Sequence, residues 1–448
     1  MPGQDPHTSR PRPTYPGPTS PRSTHARVRT SRRPHRLPGR RRRTRPGAPR
    51  PRPGGARRPD RRQPGARRRR GRTDQLRGLR HVPHQGRGSG ARIGVITAAS
   101  DVPANDPHAS DPGTCSNSVC NGAYYVDLLK NTYGAGDAQW IPIDLDHIAN
   151  NSSPTVINQI NSMTGFFFGG GDQSRLVTTL LKSDNSDSPA LAAIRARFAA
   201  GAAVMGTSAG TTIANGRDMV TGGESWDGLR YGSYTTVSSS HPDDLTYRPE
   251  GGFDFFTSGL LDTHFAARGR EGRITRLAAD TAHTRAFGID EDTALVVTRP
   301  GSADETDAVV GTNGVSVFDL RTATVGTHSG YRSIDNVKWS YLTSGDTYTP
   351  ATWTATSNKP SYAPSTGTVG TRWSDVFSSP NSPTDHSYQM VKMAKELVNA
   401  GRSTYQYGIS YESGPTFEAD LTKGTGYQAW KSGTAVSFAN LNTRLYVY

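Results

Sequence analysis

A serine that acts as a nucleophile needs a sharp turn to present its hydroxyl, a base to take its proton and donors for the oxyanion it creates. Gly206-Thr207-Ser208-Ala209-Gly210 is a G-x-S-x-G with an apolar strand, Ala202 to Met205, entering it and a helix leaving it. The glycines allow the turn, and the N–H of Ala209, at the start of that helix, points at a developing oxyanion. His264, in Leu261-Asp262-Thr263-His264-Phe265, follows the apolar stretch Phe253 to Leu261 and reads as the base. Arg268, Arg270 and Arg273 come just after it, before a helix. They read as a carboxylate-binding cluster, because a guanidinium pairs a carboxylate through two parallel hydrogen bonds. Gly288-Ile289-Asp290-Glu291 ends an apolar strand, and either Glu291 or Asp290 could orient the imidazole. The order Ser, His, acid differs from the Ser, acid, His of ordinary α/β-hydrolases. Phe168-Gly169-Gly170-Gly171-Asp172-Gln173 lacks the spacing and the lysine of a phosphate-binding loop. It reads instead as a second oxyanion donor, the N–H near Gly171, with Gln173 reaching substrate. The competing readings of these residues are structural: a plain turn, an exposed loop histidine and a solvated charged face.

The elements that must position these residues alternate. Strands are predicted at 91–99, 138–143, 166–168 and 202–206, and helices at 119–133, 153–162, 173–182 and 189–200, with Ser153 as N-cap and Pro154 in the first turn. A helix follows at 271–281, then strands at 286–289 and 293–298, and 308–320 reads as a closing hairpin turning at Thr312-Asn313-Gly314. Such alternation predicts an α/β fold, a mostly parallel sheet flanked by helices on both faces. From residue 325 the texture turns rich in Ser, Thr, Tyr and Gly. One amphipathic helix at 384–400 and β-like runs at 404–410 and 435–448 give residues 325–448 the look of a C-terminal extension of β character.

The chain has 448 residues and a formal net charge of +15, but the charge is confined. Residues 1–90 hold 27 Arg, no Lys and 3 Asp, whereas the remainder holds 26 basic and 35 acidic residues. The first 90 residues also carry 16 of the 31 Pro and a single aromatic, Tyr15, so they are expected to be disordered. A basic arm that binds polyanions by counterion release is one reading of them. The Arg-only composition and the missing aromatic stacking platform favour another, a wrong-frame or mis-started translation of a GC-rich gene. No signal peptide is legible in this frame, and no run of 18 uncharged apolar residues exists to cross a membrane. Cys115 and Cys120 are the only cysteines. Their C-x4-C spacing suits a short-range disulfide better than zinc, and a disulfide implies an oxidising compartment.

Taken together, FFFGGGDQ, GTSAG, GGES (Gly222 to Ser225), DTHF-x-x-R-G-R-x-G-R and GIDE resemble the cyanophycinases over residues 91–320, in that family's order and spacing. These are serine peptidases related to peptidase E, with class I glutamine-amidotransferase-like folds. The resemblance implies a catalytic domain at 91–324, with Ser208 as nucleophile, His264 as base and Glu291 as acid. It implies oxyanion donors at Gly171 and Ala209, and substrate contacts from Gln173, Asp262, Thr263, Arg268, Arg270 and Arg273. The implied substrate is cyanophycin, poly-aspartate with Arg on each β-carboxyl, released as β-Asp-Arg dipeptides. No cofactor, metal, nucleic acid or membrane partner is expected, and a homodimer is allowed for. Many relatives have Gln where this chain has Thr263, and the family's opening strand with its Gly-rich turn is not legible upstream of residue 91. The C-terminal extension is similar in kind to that of extracellular cyanophycinases, so a secreted enzyme is expected. The rivals are a peptidase E-like enzyme acting on other Asp-containing peptides and a non-catalytic polyanion-binding protein.

Overall fold

The computed structural model describes residues 88–237 and 242–448. The expectations for residues 1–90 therefore lie outside the described residues, save Gly88–Gly90. Four short strands, β1 (Arg92–Ile96), β2 (Asp137–Trp140), β3 (Gly165–Phe168) and β4 (Ala203–Gly206), form a parallel sheet in the order β2-β1-β3-β4. Parallel neighbours need crossovers, and helices supply them: α1 (Ser118–Asp127), α2 (Pro154–Asn161), α3 (Gln173–Leu180) and α4 (Pro189–Ala199). The Phe166-Phe167-Phe168 run alternates between the two faces of the sheet. Phe166 and Phe168 pack with Leu176, Leu191 and Ile194, while Phe167 packs with Tyr125 and Leu129. Both faces are thus covered, as an uninterrupted apolar strand requires. Ser188 Oγ accepts from the Leu191 N–H at the start of α4, and Asp172 does the same for Ser174 in α3. Ser153 occupies the predicted N-cap position of α2, but its side chain makes no capping bond. Cys115 and Cys120 are joined in a disulfide that ties the preceding loop to the first turn of α1.

After β4 come the short helix α5 (Ala209–Thr212), strand β5 (Met219–Gly222), helix α6 (Ser225–Tyr231), and strands β6 (Ser233–Tyr234) and β7 (Leu245–Arg248), the three strands making a small sheet. Strand β8 (Leu260–Thr263), helix α7 (Glu271–Asp280) and strand β9 (Arg285–Ile289) follow, with β8 and β9 parallel. Strands β10 (Thr293–Thr298), β11 (Thr306–Gly311), β12 (Gly314–Asp319), β13 (Thr324–His328), β14 (Tyr331–Thr343), β15 (Thr347–Thr349), β16 (Thr354–Thr356) and β17 (Trp373–Ser374) come next. Helix α8 (Gln389–Asn399) and strands β18 (Tyr405–Ile409), β19 (Phe417–Thr422), β20 (Gln428–Ser432) and β21 (Ala435–Val447) complete the chain.

One expectation changes here. Residues 308–320 are not a hairpin: β11 pairs with β10 and β15, whereas β12 pairs with β9 and β14 in a different sheet. The Thr312-Asn313 step carries the chain from one sheet to the other, and the Asn313 amide bonds to loops outside the turn rather than closing it. The C-terminal residues have the expected β character, and their strands are continuous with the sheet that carries His264 and Glu291 at its strand ends. The ten-stranded sheet runs β17-β18-β19-β21-β14-β12-β9-β8, with β13 and β20 attached at its side. Its core joins Phe265, Ile274 and Leu277 to Trp339, Phe377, Met390, Met393, Leu397 and Phe438.

Candidate active site

The turn at Ser208 is made by what its neighbours lack. A Cβ on Gly206 would collide with the Gly210 carbonyl, and one on Gly210 with the Phe168 carbonyl, so only glycine fits at either position. Ser208 itself stands at φ 53°, ψ −119°, a conformation costly for an L-residue and retained where surrounding structure enforces it. This is the strand–turn–helix geometry that lifts a serine hydroxyl above a sheet edge. The Gly169–Gly171 loop lies alongside: a Cβ on Gly170 would sit 3.2 Å from Ser208 Cβ, and at Gly171, φ +143°, a Cβ would collide with the Ala99 carbonyl.

His264 leaves the end of β8 at φ 50° and faces Ser208. Its Nε2 lies 3.0 Å from Ser208 Oγ, and its Nδ1 lies 2.8 Å from Glu291 Oε1. With the ring proton on Nδ1, that N–H donates to the carboxylate and Nε2 is free to accept from the serine hydroxyl. The bond from His264 holds the Glu291 carboxyl below its ordinary range, so it is ionised at neutral pH. Of the two acids left open by sequence, Glu291 is therefore the one that meets the imidazole. Asp290 turns inward, where it accepts from the Ala266 N–H at 2.9 Å and the Tyr341 O–H at 2.8 Å. Burial pushes its carboxyl up to about 6.

The arginine cluster is rearranged relative to expectation. Arg273 is buried and committed to buried Asp262 through two bonds of 2.7 and 2.6 Å, with a third to the Gly223 carbonyl at 2.6 Å. Burial alone would raise the Asp262 carboxyl, but Arg273 and Arg270 outweigh it and hold the group low. Arg270 donates to the Thr263 carbonyl at 2.6 Å and stands 3.3 Å from Asp262. Burial, then repulsion from Arg273, lowers its guanidinium to about 10. Only Arg268 is exposed. An Asp262–Arg273 pair this well satisfied braces the loop after His264 rather than offering two free groups to a substrate. Glu224 lies in the field of Arg273 and Arg270; burial raises its carboxyl against their pull. The Gln173 amide donates to the Val220 and Thr221 carbonyls, each at 3.2 Å. Thr263 is buried at the end of β8.

A cavity of about 760 Å³ opens beside the serine and histidine. Its walls are β4, β10, Phe255 and Phe256, and Ser208, His264 and Glu291 line it too. Among the described residues β4 pairs only with β3, and β10 only with β11, so each presents an open edge there.

Three contributors were not legible in the sequence. Buried Asn215 donates to the Leu261 carbonyl at 3.0 Å and accepts the Leu261 N–H at 2.7 Å, so one side-chain amide stitches the segment after Ser208 to the strand before His264. Asn313 and Tyr388 reach the Glu291 segment from a corner and from the C-terminal region. An isolated Asn or Tyr far away in sequence carries no local signal for such a role.

Residues 119–302 match peptidase family S51. That span is less than half of the chain, and over it the chain is similar to the peptidases of that family. The chain is 30% identical over 212 residues to a cyanophycinase of Trichormus variabilis, an alignment that covers 46% of this chain and 63% of that relative. The chain thus spans less than two thirds of that relative's length. A cyanophycinase of Geminocystis herdmanii is 25% identical over 276 residues, 60% of this chain and 86% of the relative. Among solved structures, a peptidase from an acI-B1 Actinobacterium aligns at a TM-score of 0.38 and 17% identity, covering 62% of this chain and 91% of its own.

Proposed function

We propose that this chain is a serine exopeptidase that hydrolyses cyanophycin to β-Asp-Arg dipeptides. The observation that carries the reading is the unbroken line from Ser208 Oγ through the His264 ring to Glu291, with bonds of 3.0 and 2.8 Å. In this mechanism Ser208 attacks the backbone carbonyl while His264 takes the hydroxyl proton and then gives it to the leaving amine. Ionised Glu291 keeps the Nδ1 tautomer and stabilises the imidazolium that forms. The N–H groups of Gly171 and Ala209 hold the oxyanion, each worth about 3 kcal/mol of transition-state stabilisation. Water then enters, with His264 as base again, and frees the acyl product. Arg268 and Arg270 meet substrate carboxylates, while Glu224 meets a substrate guanidinium.

The test mixes the purified protein with cyanophycin granules and follows clearing and dipeptide release. Wild type is expected to release β-Asp-Arg, and Ser208→Ala to release at least about 10⁴-fold less. Equal release by the two would end the reading. A peptidase E-like specificity for other Asp-containing peptides is the second reading, favoured by the commitment of Arg273 to Asp262 and by Thr263. A panel of Asp-X dipeptides set against the polymer separates them.

Export is part of the proposal, supported by the Cys115–Cys120 disulfide. So is a different frame for residues 1–90, supported by their 27 Arg without Lys and by the open edges of β4 and β10, between which a further strand would find partners. Peptide mapping of the native protein tests it: Arg-rich tryptic fragments from residues 1–90 would refute the frame change.

A further inference from the structure

The ten-stranded sheet makes the C-terminal region part of the catalytic half, and two side-chain chains run from it to the consecutive residues Asp290 and Glu291. In the first, Asn313 Nδ2 donates to the Glu291 carbonyl at 2.9 Å and to the Tyr388 hydroxyl oxygen at 3.1 Å. In the second, the Tyr341 hydroxyl donates to Asp290 Oδ2 at 2.8 Å, and Lys395 of α8 lies 4.8 Å from the Tyr341 ring. Tyr388 is itself over-determined. It stands just before α8 at φ 64°, a left-handed conformation rare for tyrosine, and its N–H donates to the Ala266 carbonyl at 2.8 Å, two residues after His264. The loop before α8 also presses on the histidine loop: Gly269 has φ +54°, and a Cβ there would collide with the Phe377 carbonyl.

A carboxylate that orients an imidazole works only while its own backbone is fixed, since a misplacement of about 1 Å can cost two orders of magnitude in rate. The Asp290-Glu291-Asp292 segment turns out of β9 with Asp292 at φ 54°, so it needs outside restraints. We propose that Tyr388 is a positioning residue for the catalytic acid: through Asn313 its hydroxyl fixes the Glu291 backbone, so that α8 and the chain before it hold the acid against His264. This rests on the serine-peptidase reading of the site and assigns a role to the C-terminal region within it.

The test uses a reagent that reports the serine rather than a particular substrate. A fluorophosphonate phosphonylates an activated serine: Oγ bonds to phosphorus, fluoride leaves, and the hydroxyl proton passes to the histidine. In the full chain, Tyr388→Phe, which removes only the hydroxyl, is expected to slow labelling of Ser208 roughly tenfold, the effect of one lost hydrogen bond. Asn313→Ala should match or exceed that loss. Tyr405→Phe, which removes a C-terminal hydroxyl bonded to Asp420 instead, should leave the rate unchanged. In a Glu291→Gln background Tyr388→Phe should add nothing, because the group it positions is already disabled. Thermal melts confirm that each variant is folded. A wild-type rate retained by folded Tyr388→Phe, or the same tenfold loss in the Glu291→Gln background, would overturn the proposal alone. A wild-type Ser208 that does not label would sink the serine-peptidase reading and this proposal with it.

Discussion

Ser208 ends the outermost of four short parallel strands, whereas His264 and Glu291 follow two neighbouring strands of a ten-stranded sheet. The geometry around Ser208 is local. Gly206 and Gly210 admit the turn, and the three-glycine loop after β3 lies against it. The geometry around His264 and Glu291 is remote: Asp262 is braced by Arg273, and Glu291 is reached from Asn313 and Tyr388. A site assembled from a locally coded half and a remotely coded half has two kinds of weak point. One is the short list of positions where no side chain fits, and the other is the set of distant residues that hold a loop still.

With Ser208 left in place, the largest effect should come from cutting the line between the halves at its remote end. Glu291→Gln keeps the shape but offers an amide where His264 needs an anion, and it lets the imidazole take the wrong tautomer. Turnover should fall roughly 10³- to 10⁴-fold with the melting temperature nearly unchanged. A loss below tenfold would mean that the remote half supplies position but no charge. Next comes the joint. Asn215→Leu leaves both the N–H and the C=O of buried Leu261 without their amide partner, at a cost of about 3 kcal/mol or more in stability. Because it also frees the histidine strand from the serine segment, kcat should drop more than KM rises. Urea unfolding and steady-state kinetics on one preparation would show whether the halves are coupled through this side chain.

The uneven coding explains what the sequence could reveal. GTSAG, GGGDQ and DTHF announce themselves because each is a short run whose spacing alone restricts the backbone, and the parallel strands and helices of residues 91–206 follow from periodicity. Strand β14 carries no clean alternation, because its buried positions mix Ser and Thr with Ile, Val, Trp, Tyr and Leu, and besides the adjacent β13 its partners lie at residues 314–319 and 435–447. The false hairpin at 308–320 has the same cause. Asn313-Gly314 is a turn signal whose two flanking strands find better partners elsewhere. The pairing of Arg273 with Asp262 was not legible, because residue type and spacing show a cluster of arginines but not which carboxylate each one meets.

Acidity probes the remote half without cutting it. Buried Asp290 has its carboxyl raised to about 6, against about 3.9 in an unfolded chain. Below pH 4 it is protonated in both states. Between pH 4 and 6 the unfolded chain releases this proton first, so the native state binds more protons and stability falls as pH rises. Above pH 6 the full cost is present, on the order of 2–3 kcal/mol by the usual 1.4 kcal/mol per unit. Asp290→Asn keeps an acceptor for the Ala266 N–H and cannot ionise, so the difference in unfolding free energy between it and wild type should slope across pH 4–6 and flatten outside that window. A flat difference would place the charge elsewhere in the Tyr341 network.

The smallest effect belongs to the local half. The Cys115–Cys120 disulfide closes a loop of a few residues at the entrance to α1, where Asn117 already accepts the Cys120 N–H at 2.9 Å. Chain-entropy arguments give about 2 kcal/mol for so short a loop. Breaking it with Cys115→Ser and Cys120→Ser together should lower stability by about that amount and leave the rate of Ser208 acylation within twofold. The elbow depends on β3, β4 and their glycines, and α1 covers the opposite face of the sheet from α3 and α4. A change in acylation rate comparable to that of Tyr388→Phe would show that the serine's half is held from a distance as well, and the contrast between the two halves would fail.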